Sequence, residues 1–351
     1  MTENLSSIGL LMAGATSISN VIKDVSAKKV LERHEVIAST FWIRLFAAIT
    51  FGIVLAFRAS SGLLPAIKPA AGPLFGMEGW DASPLMTWMV YLTIEVLMVA
   101  CNTIIMFRAI QITPISVCMP YISFTPIFLI ATDYWINGVI PAEQYWIGVF
   151  LIFVGSIVMH RELFSKGWLE PIKAIYRERG CFYMLIVGFV NSLTNPIDAK
   201  LVKMTDPFAQ AFAFGIGMVI FFSILALLRK SETGKVIKSV PWWVMLAGML
   251  EAVALIFQLA SHNYLPVAIT ISIKRAGIIL TVLLGWLVFK EKGIGDKLIA
   301  SSVMLAGAII FYAKLSMQQG IILALITLVG MSIALYLTRN RNLTKSEGGK
   351  F

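Results

Sequence analysis

The residues best placed to do chemistry sit in one apolar stretch, 269–289, which is long enough to cross a bilayer and carries Lys274 and Arg275 side by side. A charged side chain near the bilayer centre costs about 2.5 to 3.5 kcal/mol on insertion scales, so such groups face a wet cavity, a partner charge or a ligand. A point-like ammonium beside a guanidinium that grips oxygen atoms in pairs suits a carboxylate or phosphate. The bland alternative is that both cations pair with acids on neighbouring helices or snorkel to an interface, since Lys274 lies close to the start of the run.

Further polar side chains form stripes inside apolar runs. Arg44 lies near the middle of 36–57, Glu95 and Asn102 are seven apart, and Glu251, Gln258 and His262 fall at i, i+7 and i+11. Thr16, Asn20 and Lys23 share one helical face at i, i+4, i+7, as do Asn191, Asn195 and Asp198. The substrate-binding set expected from these stripes is Lys274, Arg275, Arg44, Glu95, Asn102, Glu251, Gln258, His262, Asn20, Asn191 and Asn195. Ordinary interhelical hydrogen bonding, worth about 0.6 kcal/mol in membranes, is the competing account of the amides. Arg44, Lys274 and Arg275 stand against Glu95 and Glu251, and adding Lys23 and Asp198 leaves an excess of one cation. That excess points to an anionic or zwitterionic ligand, while the isolated acids are candidates to carry coupled protons.

The elements that must position these groups are transmembrane helices. The chain has 351 residues, 58% hydrophobic and 14% charged, with a mean hydropathy of +0.83. Continuous apolar runs recur at 7–27, 36–57, 85–107, 114–134, 143–159, 181–204, 208–228, 241–260, 266–289, 296–313 and 320–337. Their length excludes the short alternating strands of an outer-membrane barrel, so the backbone satisfies itself as helix. The net charge of +10 reflects basic loops beside apolar runs rather than a nucleic-acid surface. Cys101, Cys118 and Cys181 lack metal-ligand spacing, and the three histidines, His34, His160 and His262, are too scattered for a metal site. No cofactor is expected. The first run has no basic region before it and no cleavage site after it, and so reads as a retained helix.

Residues 161–179, with Trp168, Leu169 and Ile172 among basic residues, suit a helix lying in the interface and split the chain in two. Lys and Arg concentrate in the connections after spans one, three, five, seven and nine, with Arg58, Lys68, Lys200, Lys203 and Lys314 on the other side. The rich side should be cytoplasmic, which puts the N-terminus outside and the basic tail inside a plasma (inner) membrane.

The halves repeat. A shift of 152 residues lays Pro114 on Pro266 and Gly155 on Gly307, and a shift of 175 lays Thr16, Asn20 and Lys23 on Asn191, Asn195 and Asp198. An odd number of spans per repeat inverts the second copy in the membrane. The expected fold is therefore all-α: a ten-helix core of two inverted five-helix repeats, 7–160 and 181–313, joined by an interfacial linker 161–180. One extra helix, 318–338, and a basic tail, 339–351, follow. Pro114, Pro120, Pro126, Gly138, Pro266, Gly277, Gly285 and Gly293 are candidate hinges or close-packing points.

Two such repeats, each closing with a Pro-led helix, a short turn and a Gly-containing helix like FKEKGIGDKLIASSVMLAGAIIF, resemble the drug/metabolite transporter superfamily in its EamA-like branch. The resemblance covers about residues 8–313 and implies a central substrate cavity worked by alternating access. The Lys-Arg of SIKRAGIIL is similar to the pair that binds phosphate in the triose-phosphate translocators, although Ile122 stands where those proteins carry a second lysine. The expectation is a secondary transporter of a small anionic or zwitterionic metabolite, not an enzyme. A flippase for a phosphate-bearing lipid or lipid-linked sugar is the alternative, and a membrane-embedded enzyme the remote one, because Asp-x-x-Asp, His-Glu-x-x-His and Gly-x-Ser-x-Gly motifs are missing. The expected partners are a small-molecule or head-group substrate, membrane lipids and no nucleic acid; coupled protons and a homodimer are candidate additions.

Overall fold

A computed structural model describes residues 2–61, 67–68, 83–125, 127–128, 132, 145–265, 267–312 and 316–347. The described elements are α1 (Thr2–Leu31), α2 (Val36–Ser60), α3 (Pro84–Ile112), α4 (Ile115–Cys118), the 3-10 helix Met119–Phe124, α5 (Tyr145–Val158), the 3-10 helix Arg161–Lys166, α6 (Glu170–Arg177), α7 (Arg179–Met204), α8 (Pro207–Leu228), α9 (Thr233–Ser239), α10 (Pro241–Ser261), α11 (Val267–Phe289), α12 (Ile294–Tyr312) and α13 (Met317–Glu347). No strand occurs among the described residues. α2, α3, α7, α8, α10 and residues Met317–Tyr336 of α13 are each long and apolar enough to cross a membrane. Ile53, Phe57, Leu227, Leu228, Ile322 and Ile326 stand exposed on these helices, as apolar side chains do when lipid is the solvent. The chain is an all-α, multi-pass membrane protein.

Local signals explain where several helices start. Asp206 accepts the N–H groups of Phe208 and Ala209 at 2.7 and 2.9 Å and is followed by Pro207, so a cap and a preset φ open α8 together. Ser83 and Pro84 open α3 in the same manner. The fourth run behaves differently from the single helix expected over 114–134. Pro120 has no N–H to return to the Ser116 carbonyl, so α4 stops after one turn and the chain tightens into the 3-10 helix Met119–Phe124. Residues 129–131 and 133–144, with the expected hinges Pro126, Gly138 and Pro266, lie outside the described residues. So do Ala313 and Lys314 at the end of the tenth expected span, residues 348–351 of the tail and most of the loop after α2. α13 runs through Glu347, past the boundary expected at 338. The linker expected over 161–180 is made of a 3-10 helix and α6, and Arg161 ties it to α12 through Asp296 at 2.6 Å.

The helix pairings obey a simple exchange. α1 packs mainly against α10 and α11, while α7 packs mainly against α3 and the 3-10 helix Met119–Phe124; α2 faces α8, and α5 faces α12. Replacing each helix by its repeat counterpart turns the α1–α10 interface into α7–α3 and returns the α2–α8 and α5–α12 interfaces to themselves. In the last of these a glycine faces the partner helix from each side. A Cβ on Gly155 would stand 2.5 Å from Met304 Cγ and 2.8 Å from the Ala300 carbonyl, and one on Gly307 would stand 2.9 Å from Ile152 Cγ1 and 2.6 Å from the Gly148 carbonyl. The 152-residue shift carries each contact onto the other. A Gly307→Leu substitution must push backbone apart and is expected to lower stability by about 1–3 kcal/mol or more, read as a lower melting temperature. Gly14→Leu, where nothing lies within 4 Å, is the matched control and should leave it unchanged.

Candidate functional site

The inner faces of α1, α2, α3, α7, α10 and α11 enclose a cavity of about 180 Å³. Lys274, Arg275, Arg44, Glu95, Asn102, Glu251, Gln258, Asn20, Asn191 and Asn195 all line it, together with Lys23 and Asp198. The stripes converge because each is confined to one helical face, and those faces are the ones the helices turn to each other. His262 is the exception and does not line the cavity. It caps the C-terminus of α10, buried, with both ring nitrogens lacking a partner among the described residues. Eleven residues at a rise of about 1.5 Å carry it roughly 16 Å along the axis from Glu251, beyond the cavity.

The charges pair selectively. Arg44 Nη1 is hydrogen-bonded to Glu251 Oε1, and Arg44 Nη2 donates to Thr103 Oγ1 at 2.6 Å, so α2, α3 and α10 are linked through one guanidinium. Lys23 and Asp24 form a second ion pair at 3.0 Å. Lys274 Nζ donates to a neutral acceptor, Gln258 Oε1, at 2.6 Å, and is in no ion pair among the described residues. Arg275 Nη2 donates to Thr125 Oγ1 at 3.1 Å. Asn102 Nδ2 reaches Asn191 Oδ1 at 3.0 Å, joining α3 to α7. Glu95 Oε2 accepts from Gln210 Nε2 at 3.2 Å, and Gln210 Oε1 accepts from Trp88 Nε1 at 2.9 Å. Arg44 Nε, Glu251 Oε2 and Asn102 Oδ1 are buried polar atoms without a hydrogen-bond partner among the described residues.

The lining corrects the charge count. Asp24 belongs to the wall, so four cations, Lys23, Arg44, Lys274 and Arg275, face four acids, Asp24, Glu95, Asp198 and Glu251. Asp24 was findable: it lies four residues beyond Asn20 on the same face, next to the basic end of that span. Ser17, Thr103 and Thr125 had no such signal, since a hydroxyl in a membrane helix ordinarily bonds back to its own carbonyls.

One end of the bundle is tied by a residue that no stripe contained. In the turn between α11 and α12, Lys290 at φ 55° and Gly293 at φ 69° take left-handed conformations. Glu291, between them, reaches back to α4. Its Oε1 accepts the Ile115 N–H at 2.9 Å and Lys28 Nζ at 2.8 Å; its Oε2 accepts the Ser116 N–H at 3.0 Å and the Ser116 hydroxyl. Lys297 Nζ donates to the same hydroxyl at 2.9 Å. Burial by itself would raise this carboxyl. The hydrogen bonds from Lys28 and Ser116, with the Lys28 charge, outweigh burial and hold it below the usual glutamate range.

Residues 180–311, from the start of α7 to near the end of α12, match the family described as "Putative inner membrane exporter, YdcZ" of the drug/metabolite transporter superfamily. No curated protein matches the chain. A solved structure described as "Crystal structure of protein" superimposes with a TM-score of 0.55 at 10% identity, covering 88% of this chain and 95% of its own, a likeness of fold alone. The multi-pass helical fold, the buried ionic cavity and the exporter family matched over the second half together support a membrane transporter.

Proposed function

We propose that the chain is a secondary transporter of a small anionic or zwitterionic metabolite, bound in the cavity between the two sets of helices and exposed alternately to either side. The observation that carries this reading is Lys274: an ammonium on the cavity wall, beside Arg275, whose partner among the described residues is a neutral amide rather than an acid. Arg44 and Lys23 already have carboxylates, so the position left for a ligand's negative charge is at α11. The buried, unsatisfied Arg44 Nε and Asn102 Oδ1 add a donor and an acceptor for the rest of a polar solute. The exchange of helix interfaces between the halves supports two similar packings of the same bundle, which alternating access requires. A cavity of about 180 Å³ is below the roughly 300–1,000 Å³ of drug-sized sites, which favours a solute of few heavy atoms over a lipid-linked sugar.

The test is thermal stability of the purified protein against phosphorylated metabolites, carboxylates, amino acids, nucleotide sugars, polyprenyl phosphates and organic cations, repeated on Lys274→Ala/Arg275→Ala. A ligand that binds only the folded state raises the melting temperature as its concentration exceeds Kd. The expected outcome is a small anion or zwitterion that stabilises the native protein and not the double variant, with at least a tenfold loss of affinity. Stabilisation only by cations or neutral solutes, or an anion effect that survives the double substitution, refutes the reading.

A further inference from the structure

Glu95 on α3 and Asp198 on α7 stand on two helices that pack together, and both line the cavity, acid beside acid. Two carboxylates have only acceptors, so a hydrogen bond between them requires a proton on one. Such a pair titrates as a unit. Neither is in an ion pair among the described residues. The acids and bases facing them from the packed helices are accounted for: Lys23 with Asp24 on α1, Arg44 on α2 with Glu251 on α10, Lys274 on Gln258, and Arg275 on Thr125. α8 contributes the neutral Gln210. Lys200 lies over the Tyr91 ring at 5.6 Å, Lys203 is exposed, and neither they nor His262 line the cavity.

We infer that the Glu95–Asp198 pair is a proton site whose occupancy sets the net charge of the cavity, so that one proton and the anion bind together. With the pair holding its proton, four cations face three anionic carboxylates and the wall carries a single positive charge. When the proton leaves, four face four and the attraction for an anion is gone. One unit of charge in a partly desolvated site changes affinity by about tenfold or more. Linkage is reciprocal, so a bound anion holds the proton as strongly as the proton holds the anion. The pair is also wired to both halves of the bundle, Glu95 standing in the first repeat and Asp198 in the second, so proton loss changes an interface that has to rearrange during transport. The inference rests on the anionic reading above.

Infrared titration of the full-length protein in liposomes reads the protonated carboxyl directly. Native protein is expected to show a carboxylic carbonyl band that is lost as pH rises, and both Glu95→Gln and Asp198→Asn should lack it. In parallel, melting temperatures with sulfate and with methanesulfonate, whose charges are constant over the range, report anion affinity. In native protein that affinity should fall about tenfold as the band disappears, and saturating sulfate should move the band's midpoint up by about one pH unit. Each variant keeps one ionised acid and a wall of fixed positive charge, so whatever anion affinity it has should be independent of pH. A native protein with no titrating band overturns the inference, as does a band that persists in both variants or an anion affinity that keeps its pH dependence in them. A band that behaves as expected while neither anion binds any form instead refutes the anionic reading and removes the linkage with it.

Discussion

Arg44→Ala is expected to destabilise the purified protein by about 3–5 kcal/mol, because it leaves the largely buried Glu251 carboxylate without its cation. Arg44 holds three helices at once, bonding Glu251 on α10 and Thr103 on α3 from its place on α2. Arg44→Lys keeps the charge but has one nitrogen in place of a fork and should recover only part of the loss. The decisive comparison is Arg44→Ala/Glu251→Ala. Removing both partners also removes the uncompensated charge, so the double variant should be more stable than the sum of the single losses, a coupling measurable in a double-mutant cycle by melting or denaturant. Additive losses would mean that the two side chains act separately and that the pair is not the fastener described.

Glu291→Gln is expected to open the end of the bundle that this carboxylate ties. Four donors from α1 and α4 converge on it, and hydrogen bonds to a charged group contribute about 1.5–3 kcal/mol each. Cys118 on α4 and Cys181 on α7 are buried near that end, whereas Cys101 is exposed. In a Cys101→Ser background, modification of Cys118 and Cys181 by a water-soluble thiol reagent should accelerate about tenfold to hundredfold when Glu291 is neutralised. An unchanged rate would show that the latch is held elsewhere. The pH dependence has a definite sign. The folded carboxyl lies below its usual value of 4.5, so its contribution is present above that value and is lost as pH falls through the depressed folded value. Labelling of the native protein should therefore stay slow around pH 4.5, where an ordinary glutamate is half protonated, and rise only under stronger acid.

What could be read before any coordinates is instructive at the level of single residues. Lys274 and Arg275 are visible because charge in a spanning segment is costly, and that cost is local to the sequence. Asn20, Asn191, Asn195, Glu95 and Gln258 are visible because helical period alone puts each on a face, and all of them line the cavity. His262 satisfies the same period yet does not line the cavity, because periodicity gives direction around an axis and not depth along it. Asp24 lies inside the first expected span but was in none of the stripes singled out, although it lines the cavity.

Pairing is a further matter. Arg44 could have faced Glu95 or Glu251 on spacing alone, and only the packing of α2 against α10 selects Glu251. Glu95 thereby comes to stand against Asp198, an acid rather than a base. Glu291 lies in a polar turn with no period at all, and its role depends on Lys290 and Gly293 in left-handed conformations that point it back at α4.

By itself, then, the chain's apolar periodicity determined that this is a helical multi-pass membrane protein, and its interrupted apolar runs determined which side chains turn inward. Those are properties of single helices in lipid, where every backbone group must be satisfied within its own segment. Which acid meets which base, how large a space they leave and how many charges remain uncompensated were decided only by tertiary packing. These depend on relative depth and rotation of helices far apart in sequence, set by contacts such as Gly155 on Met304 and Gly307 on Ile152 that no one segment encodes.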